Sequence, residues 1–190
     1  MDDSKINDSK IRQFIALAGQ KIADHLINGT PSQRELGAQL LLSETLEYVI
    51  KGLGVTPSFD GHQITDANAL KYKCHAENPD KLEMIDGLAD VAYTMFWNSV
   101  TFGIPLGKAF DMVCDNNLEK FVKVDSNLAD LGELNPNLWH CNQSVSWPKE
   151  VEKVFIIQYQ NSFFAVGKDS TGKVRKPSSY KSVDLSTLVD

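Results

Sequence analysis

The chain has few cysteines, no membrane-length apolar run and no surplus of basic charge, and each shortage removes a class of function. Its only cysteines are Cys74, Cys114 and Cys141. An odd number at wide spacing is not a disulfide framework, and reduced thiols in a cytoplasmic protein are the expected state. Cys74-His75 and His140-Cys141 lack the CxxC or HxxxH partners of a zinc site. No apolar run reaches the ~18–20 residues of a membrane span. The opening Met1-Asp2-Asp3-Ser4 is acidic and polar, unlike a signal peptide. With 19 Lys and Arg against 25 Asp and Glu, the formal charge is −6, which argues against general nucleic-acid binding. A small anionic ligand stays open, because a bound divalent metal inverts local charge.

What remains is an ordinary globular composition: 190 residues, 42% hydrophobic and 23% charged, enough for one domain with a small appendage. The first two thirds read as helices. Ile11, Phe14, Ile15, Ala18 and Ile22 recur at helical spacing as far as about Leu26, where Gly29 breaks the pattern. Thr30-Pro31-Ser32-Gln33 has the form of a capping box with proline at the first helical position. The second helix is expected from Pro31 to about Lys51, stopping at Gly52 and Gly54. Residues 55–77 are irregular, with a short helix near 66–72. A link this long is often functional. Asn78-Pro79 starts a third helix that is apolar on nearly every side, from Met84 to Trp97, as the central helix of a bundle is. Pro105 opens a fourth, with Leu106, Ala109, Phe110, Val113, Leu118 and Phe121 inward.

After about Leu131 the composition changes. Val154–Tyr159 and Ser162–Val166 read as two strands around Gln160-Asn161. A basic tail follows, with Lys168, Lys173, Arg175, Lys176 and Lys181. The expected fold is all-α: a four-helix bundle over residues 1–131, with a C-terminal β-hairpin appendage and basic tail over 132–190.

Chemistry concentrates on the second and third helices. Glu44 and Glu47 are three apart and share a helix face. Glu83, Asp86 and Asp90 fall within about 60° of arc at ~100° per residue. A carboxylate buried and unpaired in such apolar helices costs several kcal/mol. Few basic residues are at hand, with Lys51 at the end of the second helix and Lys81 at the start of the third. A divalent metal supplies the neutralising charge instead, and hard oxygen ligands favour Mg²⁺ or Mn²⁺. The competing reading is that each acidic residue lies on a solvated face. A di-iron bundle is disfavoured, because His25, His62, His75 and His140 stand outside both helices.

Leu42-Ser43-Glu44-Thr45-Leu46-Glu47, then a linker, then Glu83-Met84-Ile85-Asp86-Gly87-Leu88-Ala89-Asp90-Val91-Ala92-Tyr93 resembles the all-α nucleoside triphosphate pyrophosphohydrolases, the MazG-like superfamily. Asn116-Asn117-Leu118-Glu119-Lys120 and Gly172-Lys173-Val174-Arg175-Lys176-Pro177 are similar to that family's Asn-x-x-Lys stretch and Gly-Lys-Val-x-Lys-Pro tail. The likeness covers about residues 9–125 and 168–180. It implies Mg²⁺-dependent hydrolysis of a nucleoside triphosphate to the monophosphate and pyrophosphate, in a homodimer or dimer of dimers. It implies that Glu44, Glu47, Glu83 or Asp86, and Asp90 hold metal. Glu47, with Glu44, would be the catalytic carboxylate, and Asn117, Lys120, Lys173 and Lys176 would hold substrate. Two departures stand out. Ser43 replaces the first carboxylate of the family's Glu-Glu-x-x-Glu, and residues 132–166 match nothing in the pattern. The alternatives are a catalytically weak nucleotide-binding relative and a helical interaction module.

Overall fold

The computed structural model describes residues 8–125, 132–141 and 144–189. Met1–Ser4 and Leu131, which bear on the leader and boundary expectations, lie outside them. The chain divides into two compact units, one of Leu26–Met84 and one of Met1–His25 with Ile85–Asp190.

In the unit of Leu26–Met84, helix α2 spans Pro31–Glu47. Its start follows the sequence: Thr30 Oγ1 accepts from Gln33 N at 3.2 Å, and Thr30 N donates to Gln33 Oε1 at 2.8 Å. One π-helical turn, Tyr48–Gly52, continues it. The link beyond holds a hairpin that the pattern did not show, and the short helix expected near 66–72 is only a turn, Ala69 N donating to Asp66 O at 3.1 Å. Strand β1 (Ser58–Phe59) pairs with β2 (His62–Gln63) across Asp60-Gly61. Both turn residues have positive φ, 50° and 77°, as a tight two-residue hairpin turn requires. The rest of the link is pinned by Arg34, whose guanidinium donates to the carbonyls of Asn28, Gly29 and Ala76. Helix α3 (Lys81–Phe102) starts on Asp80, whose Oδ1 accepts from Leu82 N.

In the other unit, helix α1 is shorter than its periodicity suggested, spanning Ser9–Leu17, because Gly19 turns the chain at φ +61°. Helix α4 covers Leu106–Leu118. Lys10 ties the two helices by bonding both Asp111 and Asp115 at 2.7 Å. A four-stranded antiparallel sheet follows: β3 (Val122–Val124), β4 (Gly132–Glu133), β5 (Lys153–Tyr159) and β6 (Ser162–Lys168), in the order β3-β6-β5-β4. The expected hairpin is therefore present as β5 and β6, but as the centre of a larger sheet. Alternation gives that sheet two buried faces. Val154, Ile156, Phe163 and Ala165 face a cluster with Trp139 and Trp147. Phe155, Ile157, Phe164 and Val166 face Phe14, Leu17 and Phe121. The indoles of Trp139 and Trp147 donate to the carbonyls of Leu134 and Trp139, which fixes them as packing residues of the loop.

The all-α expectation is corrected. The described residues hold four α-helices and six strands in two sheets, a mixed helix-and-sheet architecture. The sequence pattern missed β3 and β4 because three-residue and two-residue strands are too short to show a period. The place of the third helix is corrected as well. None of its residues is buried, although it reads as a bundle centre. Among the described residues, no helix is long and apolar enough to cross a membrane.

Candidate functional site

Helix α2 carries Glu44 and Glu47 at the end where the π-helical turn begins. Single π-type turns are frequent at functional sites. Glu44 is exposed, and Glu47 is half-exposed with Oε1 accepting from Lys51 Nζ at 2.9 Å. Lys51 therefore serves Glu47 from one turn away. Ser43 is buried, its Oγ donating to Leu40 O at 3.3 Å. A carboxylate there would lose hydration without a cation.

Helix α3 carries Glu83, Asp86 and Asp90, and all three are exposed. The argument that burial in an apolar helix forces a metal on them does not hold within one chain. Among the described residues, Glu44, Glu83, Asp86 and Asp90 have no hydrogen-bond or ion-pair partner through their side chains. Glu44, Glu47 and Glu83 belong to the unit of Leu26–Met84, and Asp86 and Asp90 to the other.

The donor chemistry suits Mg²⁺, since every candidate ligand is a carboxylate oxygen with no competing thiolate or imidazole in the set. The grouping does not: among the described residues, no three or more His, Cys, Asp or Glu stand close enough together to hold a metal ion. The five candidates are thus a suitable donor set that the single chain does not gather.

Among the expected substrate residues, Asn117, Lys120 and Lys176 share the C-terminal end of α4. Asn117 is on the last turn of α4, and Lys120 lies just beyond it, its Nζ 5.7 Å from the Phe14 ring centroid. The basic tail returns to this end of α4 through Asn116, which sequence reasoning passed over. Asn116 is buried. Its Nδ2 donates to Lys181 O at 2.6 Å, and its Oδ1 accepts from Tyr180 Oη. Lys176 Nζ lies 4.7 Å over the Tyr180 ring. One buried amide therefore joins the Asn-x-x-Lys stretch to the basic tail. The only hint of it in the sequence was a doubled asparagine.

The tail's turn is built on Asp169. Its carboxylate accepts from Thr171 Oγ1 at 2.7 Å, from the amides of Thr171 and Lys173, and from Arg175 Nε at 2.7 Å. Burial by itself would raise its pKa, but these donors and the Arg175 charge hold it below the usual carboxylate range. Lys173 thus enters the turn through its backbone amide. Lys168 donates to Ala18 O, and burial pushes its pKa down.

No protein-family model, curated protein or solved structure matches the chain, so the likeness to the MazG-like superfamily rests on the quoted motifs alone.

Proposed function

We propose that the protein is a cytoplasmic, Mg²⁺-dependent nucleoside triphosphate pyrophosphohydrolase. The observation that carries this reading is two acidic sets, Glu44 with Glu47 and Glu83 with Asp86 and Asp90, on long helices and mostly without partners among the described residues. The apolar surface of α3 supports a homo-oligomer as the working form. Ile85, Leu88, Tyr93, Trp97, Val100 and Phe102 are each more than half exposed. An apolar helical surface of this kind is what a second copy would cover in an obligate interface.

In this reading Glu44, Glu47, Glu83, Asp86 and Asp90 hold Mg²⁺, with Mn²⁺ as a substitute. A bound ion would neutralise the triphosphate and would make a coordinated water more acidic. Glu47 accepts a proton from the attacking water once it exchanges Lys51 for this task. That exposed i,i+4 pair is worth only ~0.3–0.5 kcal/mol, so the exchange is easy. Asn117, Lys120, Lys173 and Lys176 bind the phosphates and sugar of the substrate. One feature favours a second reading, a nucleotide-binding relative with weak turnover: the buried hydroxyl of Ser43 stands where the family pattern has a carboxylate.

The test is pyrophosphate release from a panel of dNTPs and NTPs with Mg²⁺, using wild type, Glu47→Gln and Asp90→Asn. Release by wild type and its loss in both variants is the expected result. No release with Mg²⁺ or Mn²⁺, but binding of a nucleotide, favours the weak relative.

A further inference from the structure

The basic tail is tied to two other parts of its unit, Met1–His25 with Ile85–Asp190. The first is the sheet. Val174 bridges Lys168, and Arg175 N donates to Gly167 O at 2.9 Å. Ser178 N donates to Ser146 O at 2.8 Å, and Ser146 N returns a bond to Ser178 Oγ at 2.9 Å. Ser146 precedes Trp147, whose ring lies against Gly167, so the loop that carries this tie is itself packed on the sheet. Val174 and Pro177 are buried.

The second is Asn116, on the last turn of α4. Both ends of its amide go to the tail: Nδ2 donates to Lys181 O at 2.6 Å, and Oδ1 accepts from Tyr180 Oη. Nδ2 makes a longer contact with Glu119 Oε2 at 3.4 Å. An amide that gives one bond and takes another from adjacent residues fixes the orientation of that segment as well as its place. Asn116 is buried, so breaking the tie would strand its polar atoms away from water.

Lys176 lies between these ties. Its backbone is flanked by Arg175 and Pro177, and its exposed side chain sets Nζ 4.7 Å over the Tyr180 ring. The hydroxyl of that ring is the group Asn116 holds. Asn116, Tyr180 and Lys176 therefore form one chain of contacts that brings a cation to the end of α4.

We propose that Asn116 is a positioning residue: through Tyr180 it sets Lys176 at the end of α4 with Asn117 and Lys120, while the Ser146 tie gives the loop between β4 and β5 the role of holding the tail in place before substrate arrives. This role rests on the pyrophosphohydrolase reading, in which Lys176 meets the triphosphate. A lysine already ordered costs less to immobilise on binding than one on a loose tail. The effect of Asn116 passes through Lys176, so it vanishes when Lys176 is gone.

Steady-state pyrophosphate release by the full chain with Mg²⁺ tests it, on the nucleotide the wild type uses best. The variants are Asn116→Ala, Tyr180→Phe and Lys176→Ala, and each of the first two combined with Lys176→Ala. Tyr180→Phe deletes a single hydroxyl and keeps the ring beneath Lys176. The expected KM rises about tenfold in Asn116→Ala and Lys176→Ala and about threefold in Tyr180→Phe, with kcat within about twofold. Each double variant should stay within about twofold of Lys176→Ala, whereas independent effects of Asn116 and Lys176 would multiply to about a hundredfold. A residue that only supports the fold, or acts through Asn117, would add its cost to that of Lys176→Ala. Hydrogen exchange reads the tie without activity. The Tyr180 amide, which donates to Pro177 O at 3.0 Å, should exchange at least about tenfold faster in Asn116→Ala. The proposal is overturned by multiplying effects in the double variants or by an unchanged KM in Asn116→Ala. Unchanged exchange with normal release overturns it too, and leaves the pyrophosphohydrolase reading standing. No release by wild type, with faster exchange in Asn116→Ala, overturns that reading and the positioning role together, and leaves the tie as a structural one.

Discussion

Strands β5 and β6 and helix α3 draw on the same kinds of residue, and their fates differ. In the strands Val154, Ile156, Ala165 and Val166 are at most 1% exposed. In the helix Leu82 is 76% exposed, Leu88 63% and Val100 83%. The sheet has two apolar faces, and nearby segments of chain cover both: the loop bearing Trp139 and Trp147 on one side, α1 and Phe121 on the other. Gly167 shows how tight that cover is, because a Cβ there would meet the Trp147 ring at 2.4 Å. A helix that is apolar all round needs neighbours on every side, and one chain of this length does not supply them. Apolar content therefore marks two different things here, the packed core of the sheet and an exposed helical surface.

The largest effect that tests the contrast comes from equal truncations in the two places. Ile156→Ala should cost about 3–4 kcal/mol in urea unfolding, by the same amount at every protein concentration. Leu88→Ala on an isolated chain should cost less than about 0.5 kcal/mol, as exposed substitutions do. If a second copy covers α3, its cost exceeds about 1 kcal/mol and wild-type stability falls on dilution. Urea curves at two protein concentrations a hundredfold apart decide the point. An Ile156→Ala cost that depends on concentration would break the comparison.

Much of this was legible, and the misses have specific causes. The α2 cap was readable because a capping box is local: Thr30 and Gln33 satisfy each other within four residues. The hairpin of β5 and β6 was readable because alternation over seven residues is long enough to show. Asp60-Gly61 carried a turn signal too, but its strands are two residues each and gave no period. β3 could not be separated from the end of α4, since its pairing with β6 lies some 40 residues away in sequence. The candidate site was legible as residue types and spacing, while its grouping was not. The tie from Asn116 to Tyr180 and Lys181 spans more than sixty residues. The distribution of the five carboxylates over two units follows from where the chain divides, within α3 itself.

A second, smaller effect asks whether the sheet's stability is all apolar. Asp169, at the end of β6, has a carboxylate only 6% exposed against an Arg175 side chain 35% exposed. Arg175→Ala leaves that charge to Thr171 and two backbone amides. The expected loss is about 2 kcal/mol at neutral pH, below the 3–5 kcal/mol of a fully buried pair. The pH dependence has a definite sign. The folded pKa of Asp169 is depressed, so its stabilisation is complete above the unfolded value of ~3.9 and is lost as pH falls through the folded value. The gap between wild type and Arg175→Ala should therefore be widest above about pH 5 and close as pH drops below about 4. Melting temperatures of both proteins across this range give the answer. A gap independent of pH would mean that Arg175 acts through its packing alone.

The smallest effect returns to the helices and separates stability from function most sharply. Lys51 and Glu47 form an exposed pair at 2.9 Å, with side chains 73% and 42% exposed. Lys51→Ala should therefore change unfolding free energy by no more than ~0.3–0.5 kcal/mol, far below any truncation in the sheet. Under the proposed function its consequence lies elsewhere. Lys51 competes with a divalent cation for the same carboxylate, so its removal should lower the Mg²⁺ concentration needed for half-maximal pyrophosphate release. Coulomb attraction also strengthens, because a positive charge one helical turn from the metal is gone. Titrating Mg²⁺ against wild type and Lys51→Ala at fixed ionic strength reads this directly. Half-saturation that stays put in an active Lys51→Ala variant would remove Glu47 from the metal ligands, and the α2 contribution would then rest on Glu44 alone.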